Sequence, residues 1–392
     1  MKNLLKLLPR VIENNRRARE VGVVLFGEGG SNFLRRAILF DIDHFLVRPR
    51  ELNILTFGVV MRFIFNLRLI FKDVNQLPIF MRAYVSMSNL RRLYLYACIC
   101  EISPKVVITF MDTDYDFQWI GINCIDVDFL AIQNGVREQY SVSKWLPPQP
   151  HPASKICLQH FYCFGDVEPA LLSKFGHRVK NFYPVGSLRA SYYADMVSTN
   201  PSPGYDFDVC FVSQWISPDR QAKTQWPETY AGVLRLCEYL NKYVMDKKIS
   251  LAVALRTGDL QENQYYRSLF GKNATLVSND GESMASYKLA DGSKVVITGS
   301  STLGWEAFSW GKRVMFCNLS GDEAHDFPFD GLWRLCQPSY DEFSKRLDAV
   351  LVMKDESFYS YSKDVANKVM RNPYKAKAHL RIRRDILGFL KS

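Results

Sequence analysis

Short apolar runs, each ending in glycine, hydroxyl or acidic residues, alternate along the chain with stretches of helical periodicity. Runs at 21–26, 105–110, 129–132, 155–164 and 181–185 read as strands in the first half, with a further short strand expected at 37–40. The second half repeats the alternation with strands at 208–212, 249–255, 274–277, 295–297 and 314–317. Strand and helix in regular alternation predict an α/β chain built on parallel sheets. The segment STNPSPG, residues 198–204, has two prolines, a glycine and no large apolar side chain, as a linker does. It divides the chain into a domain over 1–200 and a second over 201–365. Residues 366–392 end in HLRIRRDILGFLKS, an amphipathic basic helix expected to cross back to the first domain.

One βαβ unit dominates the reading. Residues 293–318, SKVVITGSSTLGWEAFSWGKRVMFCN, run from an apolar strand through Gly299, Ser300, Ser301 and Thr302 into a short helix. A second apolar run follows Gly311. In parallel sheets ligands sit where strands end and helices begin. A glycine followed by hydroxyl residues at a helix N-terminus suits an anion such as phosphate, although the same residues also serve as an ordinary helix cap. Glu306, one turn into the helix, is placed to accept hydrogen bonds from a ribose or sugar. Strand ends near Ser213, Arg256, Ser278 and Ser300 are expected along one edge of the second sheet, with Arg256 facing the same anion.

The composition of the 392-residue chain changes the picture little: 47% hydrophobic and 23% charged residues are ordinary for a globular protein. The formal charge of +10 favours anionic company. Nine cysteines lie scattered without a metal-ligand spacing, which reads as reduced thiols in a cytoplasmic protein. The first twenty residues lack the pattern of a secretory signal. Residues 52–71 contain Asn53, Arg62, Asn66 and Arg68, which disfavours a membrane span. That stretch reads as a core helix, with a basic, aromatic-rich helix on an anionic inner-membrane surface as the alternative.

The strand at 105–110 runs into Asp112, Asp114 and Asp116. Carboxylates at alternate positions hint at a calcium loop, but no glycine turn or bidentate Glu follows, so no metal is expected. Asp112 or Asp114 is instead the candidate catalytic carboxylate at a strand's C-terminal end. Asn134, Arg137, Arg189 and His325 are candidate acceptor or sugar contacts. His160, within an apolar run, reads as a core histidine. The glycines of GEGGSNF, residues 27–33, do not form a dinucleotide fingerprint and are read as permitting close backbone approach. No nucleic-acid-binding signature accompanies the positive charge.

The segment 291–316 resembles the signature of bacterial nucleotide-sugar transferases at Asp291, Ile297, Ser300, Ser301, Thr302, Glu306, Ala307 and Gly311. Residues 164–190, ending in FYPVGSLRA, resemble the close of the first domain in the same group. The chain is thus similar to GT-B glycosyltransferases of capsule and lipopolysaccharide synthesis, including 3-deoxy-manno-octulosonate transferases and CDP-glycerol polyol-phosphate transferases. The paired-histidine motif of the last group is not found. The resemblance implies two Rossmann-like domains with parallel sheets facing across a cleft. It implies a nucleotide-sugar donor held by Ser213, Arg256, Gly299, Ser300, Ser301, Thr302 and Glu306, without metal or other cofactor. A glycan or lipid-linked glycan acceptor would enter from the first domain, at the cytoplasmic face of the inner membrane. A CMP-linked acidic sugar is the preferred donor, because Arg137, Arg189 and Arg256 could meet its carboxylate. A non-hydrolysing nucleotide-sugar epimerase shares this architecture, and a non-catalytic basic scaffold is a third reading.

Overall fold

The computed structural model describes residues 11, 13–16, 18, 21–74, 79–137, 155–198, 204–221, 227–278 and 283–391. Strands β1 (Val23–Phe26), β2 (His44–Val47), β3 (Val106–Thr109), β4 (Asp128–Ile132), β5 (Cys157–Cys163) and β6 (Arg178–Pro184) form the first sheet. Its order is β2-β1-β3-β4-β5-β6, and every pairing is parallel. Strands β7 (Phe207–Val212), β8 (Leu251–Ala254), β9 (Ala274–Val277), β10 (Ser293–Thr298), β11 (Arg313–Asn318) and β12 (Arg334–Cys336) form the second. Its order is β12-β11-β10-β7-β8-β9, again all parallel. The central strands are apolar throughout because helices cover both faces; β1, β3 and β8 are buried at every position.

Both strand orders contain a reversal. In the first sheet the chain leaves β1 in one direction toward β2 and returns to add β3 on the other side. In the second, β7 is flanked by β8 and β10, so its carboxyl end and that of β10 bound the crevice. These are the positions at which a parallel sheet leaves space for a ligand. Thr109 Oγ1 donates to Phe26 O at 3.0 Å across the first reversal, tying β1 to β3 there.

The C-terminal helix Ala378–Lys391 lies on the first half of the chain. Arg383 donates to Ile38 O and to Asp41, both at 2.7 Å, and Tyr162 OH donates to Asp385 at 3.2 Å. Gly165, just past β5, is pressed against the backbone of Lys368 and Val369; a Cβ there would stand 2.7 Å from Val369 O. The linker segment 198–204 falls mostly outside the described residues, so the expected boundary near residue 200 does too.

Two expectations are corrected. Residues 37–40 are not a strand: the helix Ser31–Ala37 runs into them, and the strand is His44–Val47. The spacing of Phe33, Leu34, Ala37 and Ile38 is helical, and all four are buried on one side. The stretch 52–71 is a core helix only in part: it forms two helices, and Ile54, Val59 and Ile70 join the core while much of the rest stays open. In the helix Phe57–Phe65 only Val59 is buried. Among the described residues no helix is long and apolar enough to cross a membrane.

Candidate functional site

Gln214 follows β7 and Gly299 follows β10, and the two chain ends are bound together by one side chain. Gln214 Oε1 accepts from the amides of Gly299 at 3.0 Å and Ser300 at 3.1 Å, while its Nε2 donates to Ser300 Oγ at 3.0 Å. The Ser301 amide donates to Thr298 Oγ1 at 3.1 Å. The amides of Gly299, Ser300 and Ser301 are therefore occupied by protein, while the Ser300 hydroxyl accepts from Gln214 and keeps its own proton to donate. The helix Thr302–Ser309 has no side-chain cap. Its first two amides, of Thr302 and Leu303, carry no hydrogen bond among the described residues. They are the unsatisfied donors at the positive end of the helix dipole.

A cavity of about 470 Å³ opens beside this bend, lined by Ser213, Gln214, Thr229, Arg256, Ser300, Ser301, Thr302 and His325 among others. A smaller one of about 180 Å³ shares Ser213, Arg256, Ser301 and Thr302 with it and adds Asn134, Arg189 and Glu306. Residues read from sequence as donor and sugar contacts thus meet around one hollow between the two sheets. Arg256 is exposed and donates from Nη1 to Trp215 O at 3.2 Å. Arg189 stacks over Phe33 and Phe110, 5.4 and 5.3 Å from the ring centres, and its buried Nε has no hydrogen-bond partner. Neither arginine forms a salt bridge among the described residues. Two cations and a bare helix N-terminus around one hollow favour an anion.

The loop carrying Arg256 is held by Glu262, fully buried in the helix Leu260–Phe270. Its carboxylate accepts from the amides of Arg256, Thr257 and Gly258, each at 2.8 Å, and from the Ser213 hydroxyl. Burial alone would raise its pKa; the Ser213 hydroxyl and the three amides outweigh that and hold it below the ordinary glutamate value. Ser213, buried and bonded to Glu262 and Tyr266, supports the wall of the cavity rather than presenting a free hydroxyl.

From the first sheet, the residues after β4 reach across. The Val136 amide donates to Thr302 Oγ1 at 3.2 Å, so this loop touches the bend directly. Arg137 grips both oxygens of Asp112 and donates to Asn134 Oδ1 at 3.0 Å. Asp112 is only 2% exposed. The acidic trio is resolved into three structural roles. Asp112 orients Arg137, while Asp114 caps the helix Tyr115–Asn123 through the Phe117 amide at 3.0 Å. Asp116 pairs with Arg91 at 2.7 Å and Arg92 at 3.0 Å. Burial raises the Asp114 pKa. None of the three is among the residues lining the two cavities, and neither is Glu28; Asp112 and Asp114 are set apart from a catalytic role by their protein partners, Arg137 and the Phe117 amide.

Glu28, passed over in the sequence, stands just beyond β1 at the first sheet's reversal. Its side chain is 66% exposed, and Arg48 Nε donates to it at 2.7 Å. Gly29 beside it abuts the Met111 side chain, and Met111 Sδ accepts from Asn134 Nδ2 at 3.1 Å, which leads to the cavity wall. Asp166, past β5, is also open at 49% side-chain exposure and pairs with Arg371 at 2.6 Å; Glu28 is the more exposed of the two. The signal was present, a strand feeding an acidic residue among glycines, but it carries no weight until β3 is known to lie beside β1.

Glu306 lines the smaller cavity yet is only 2% exposed. Ser187 Oγ and Tyr287 OH donate to its two oxygens, the latter at 2.7 Å, so it joins three segments instead of holding out an acceptor to a sugar. Burial pushes its carboxyl above the ordinary value, although both hydroxyls and Arg189 oppose the shift. A raised carboxyl keeps its proton in the folded state longer than in the unfolded chain, so its contribution falls as pH rises through the folded value. Glu306→Gln removes this term. The difference in melting temperature, variant minus wild type, is expected to increase between pH 4 and pH 8, each unit of separation being worth about 1.4 kcal/mol. A difference independent of pH contradicts this.

His325, in the loop after β11, completes the rim and lies 4.0 Å from Asp322. Among the described residues no group of His, Cys, Asp or Glu is arranged to hold a metal ion.

Two parallel six-stranded sheets, with their reversals facing one hollow, define the GT-B fold: two Rossmann-like domains. A family model described as "putative O-antigen biosynthesis protein" matches residues 131–342, more than half of the chain, and the chain belongs to that family. The matched span includes the bend, Arg256, Arg189 and Asn134, while Glu28 lies outside it. No curated protein matches in sequence. Among solved structures, UDP-GlcNAc 2-epimerase from Neisseria meningitidis bound to UDP-GlcNAc superposes with a TM-score of 0.51 at 13% identity, covering 94% of this chain and 99% of that one. The wall teichoic acid polymerase TagF gives 0.53 at 12% identity, covering 100% and 97%. The S. aureus MnaA–UDP structure gives 0.52 at 13% identity, covering 94% and 96%. At such identities the likeness is one of fold.

Proposed function

We propose that this protein is a glycosyltransferase that moves a sugar from a nucleotide-activated donor onto a growing cell-surface polysaccharide. The observation that carries the reading is the hollow at residues 300–302, where the amides of Thr302 and Leu303 converge with Arg256 and Arg189. Such an array stabilises the charge that develops on a departing phosphate without a bound metal. The acceptor comes from the first domain. Its hydroxyl gives its proton to the Glu28 carboxylate, its oxygen bonds to the anomeric carbon, and the bond from that carbon to the phosphate oxygen breaks. The nucleotide leaves with the electron pair.

With Arg137 committed to Asp112, two cations remain for the donor, Arg256 for the phosphate and Arg189 for a second negative group. A CMP-linked acidic sugar matches that pair best. The epimerase reading draws on the likeness in fold to UDP-GlcNAc 2-epimerases. It requires acid and base groups around the sugar, and Glu306, the carboxylate among the described lining residues, is enclosed by Ser187 and Tyr287. The deciding experiment incubates the purified protein with CMP- and UDP-linked sugars, with and without a glycan acceptor, and analyses the products. Transfer that needs the acceptor supports the proposal. Formation of an epimer from the donor alone overturns it.

A further inference from the structure

The helix Phe57–Phe65 packs Val59 and Phe63 against the core and leaves a second apolar side facing outward. Phe57 is 79% exposed, Phe65 69%, Ile64 50% and Val60 41%, and Leu52 and Leu55 stand open just before it. Positions 57, 60, 64 and 65 recur at the spacing of one helical stripe, the pattern a helix normally turns toward its own core. Here the stripe has no protein against it among the described residues, and it is held rigidly. Thr56 caps the helix through the Val59 amide at 3.1 Å and donates to Glu101 at 2.8 Å. The Tyr94 hydroxyl accepts from the Asn53 amide at 2.7 Å and fixes the approach loop.

Exposed basic side chains lie along the same part of the chain: Arg16, Arg50, Arg62 and Arg68, of which Arg62 lies 3.5 Å from Glu101, on a chain of net charge +10. The exposed acids nearby are Glu13, Glu28 and Glu51, and the last two both pair with Arg48, at 2.7 and 3.7 Å. An apolar stripe edged by arginines matches a layer with negative headgroups over hydrocarbon, where the aromatic and aliphatic tips enter and the guanidinium groups stay at phosphate level. We propose that this face docks the protein on an anionic lipid bilayer. The chain from β2 reaches it through residues 48–56, and Arg48 at the start of that segment holds Glu28. Docking would therefore bring the acidic rim of the first sheet to the membrane, where a lipid-linked acceptor is presented. That last consequence rests on the transferase reading; the docking does not.

The test is flotation of the full chain with vesicles of phosphatidylethanolamine and phosphatidylglycerol, compared with phosphatidylcholine alone. Wild type is expected to float with the anionic vesicles only, less so as salt shortens the electrostatic range. The variant Phe57→Ser/Ile64→Ser/Phe65→Ser, and separately Arg50→Glu/Arg68→Glu, are expected to lower the bound fraction about tenfold. All these side chains are exposed, so circular dichroism and nucleotide-dependent thermal shifts should match wild type. This separates loss of docking from loss of the donor site. Flotation of both variants at wild-type level overturns the proposal, as does failure of wild type to float. A wild type that dimerises without vesicles, and a triple variant that is monomeric, would assign the face to a second copy of the chain.

Discussion

Glu28→Gln is expected to lower turnover with donor and acceptor by about 10²- to 10⁴-fold, the range supplied by a positioned general base. The substitution keeps the size and hydrogen-bonding capacity of an exposed side chain, so stability should move by less than about 0.5 kcal/mol. Nucleotide affinity should be unchanged, because the phosphate site belongs to the other sheet. A fall in kcat with an unaltered nucleotide Kd is therefore the signature of this residue. Asp112→Asn is the informative contrast. It leaves Arg137 without a charged partner, and its effect should appear in stability and in the contact of Val136 with Thr302 rather than as loss of a base. Full activity in Glu28→Gln would move the proton acceptor elsewhere.

The second large effect concerns Glu262. Glu262→Ala strands the amides of Arg256, Thr257 and Gly258 and the hydroxyl of Ser213. A buried donor left unpaired costs about 1–3 kcal/mol, and with water reaching the exposed Arg256–Thr257 side the sum should be about 3 kcal/mol. The same variant should weaken nucleotide binding, since the loop that carries Arg256 loses its anchor. Glu262→Gln retains an acceptor for part of the set and is expected to recover a measurable share of both losses. The depressed carboxyl also sets a direction with pH. Its contribution is present above the ordinary glutamate value and is lost as pH falls through the lower, folded value, so wild type and variant should converge in acid. Denaturant titrations at pH 7 and pH 3 measure this; a constant gap between them contradicts it.

What could be read in advance was the part whose meaning is local. A strand, a glycine, three hydroxyl residues and a helix are contiguous, so the turn at 300–302 and its place at a sheet edge were legible from their order alone. Arg256 and Ser213 followed from the same rule applied to neighbouring strands, and parallel pairing brought them to one hollow. The surroundings of the acidic trio could not be read in advance, because its partners are distant in sequence. Arg91 and Arg92 lie on the helix Ile79–Ile102, and Arg137 lies past β4; nothing in the spacing of Asp112, Asp114 and Asp116 announces them. Gln214 and Glu262 were overlooked for the converse reason. A lone glutamine after a strand and a glutamate near the start of a helix are ordinary until the strand order places each against unpaired amides. The helix Phe57–Phe65 reads as core in the sequence because it is apolar nearly all round; one side, Val59 and Phe63, does meet the core, while Phe57, Val60, Ile64 and Phe65 face outward.

The central claim is that a nucleotide phosphate rests against the start of the helix Thr302–Ser309 beside Arg256. Thermal unfolding of wild type and Arg256→Ala in the presence of CMP, CDP, UDP or GDP tests it most directly. At one hundred times its dissociation constant a bound nucleotide should stabilise wild type by about 2.7 kcal/mol. Loss of the charged hydrogen bonds from Arg256 should weaken binding about 10- to 100-fold and remove most of that shift. A wild type unmoved by all four nucleotides, or an Arg256→Ala protein that responds as strongly as wild type, would contradict the account.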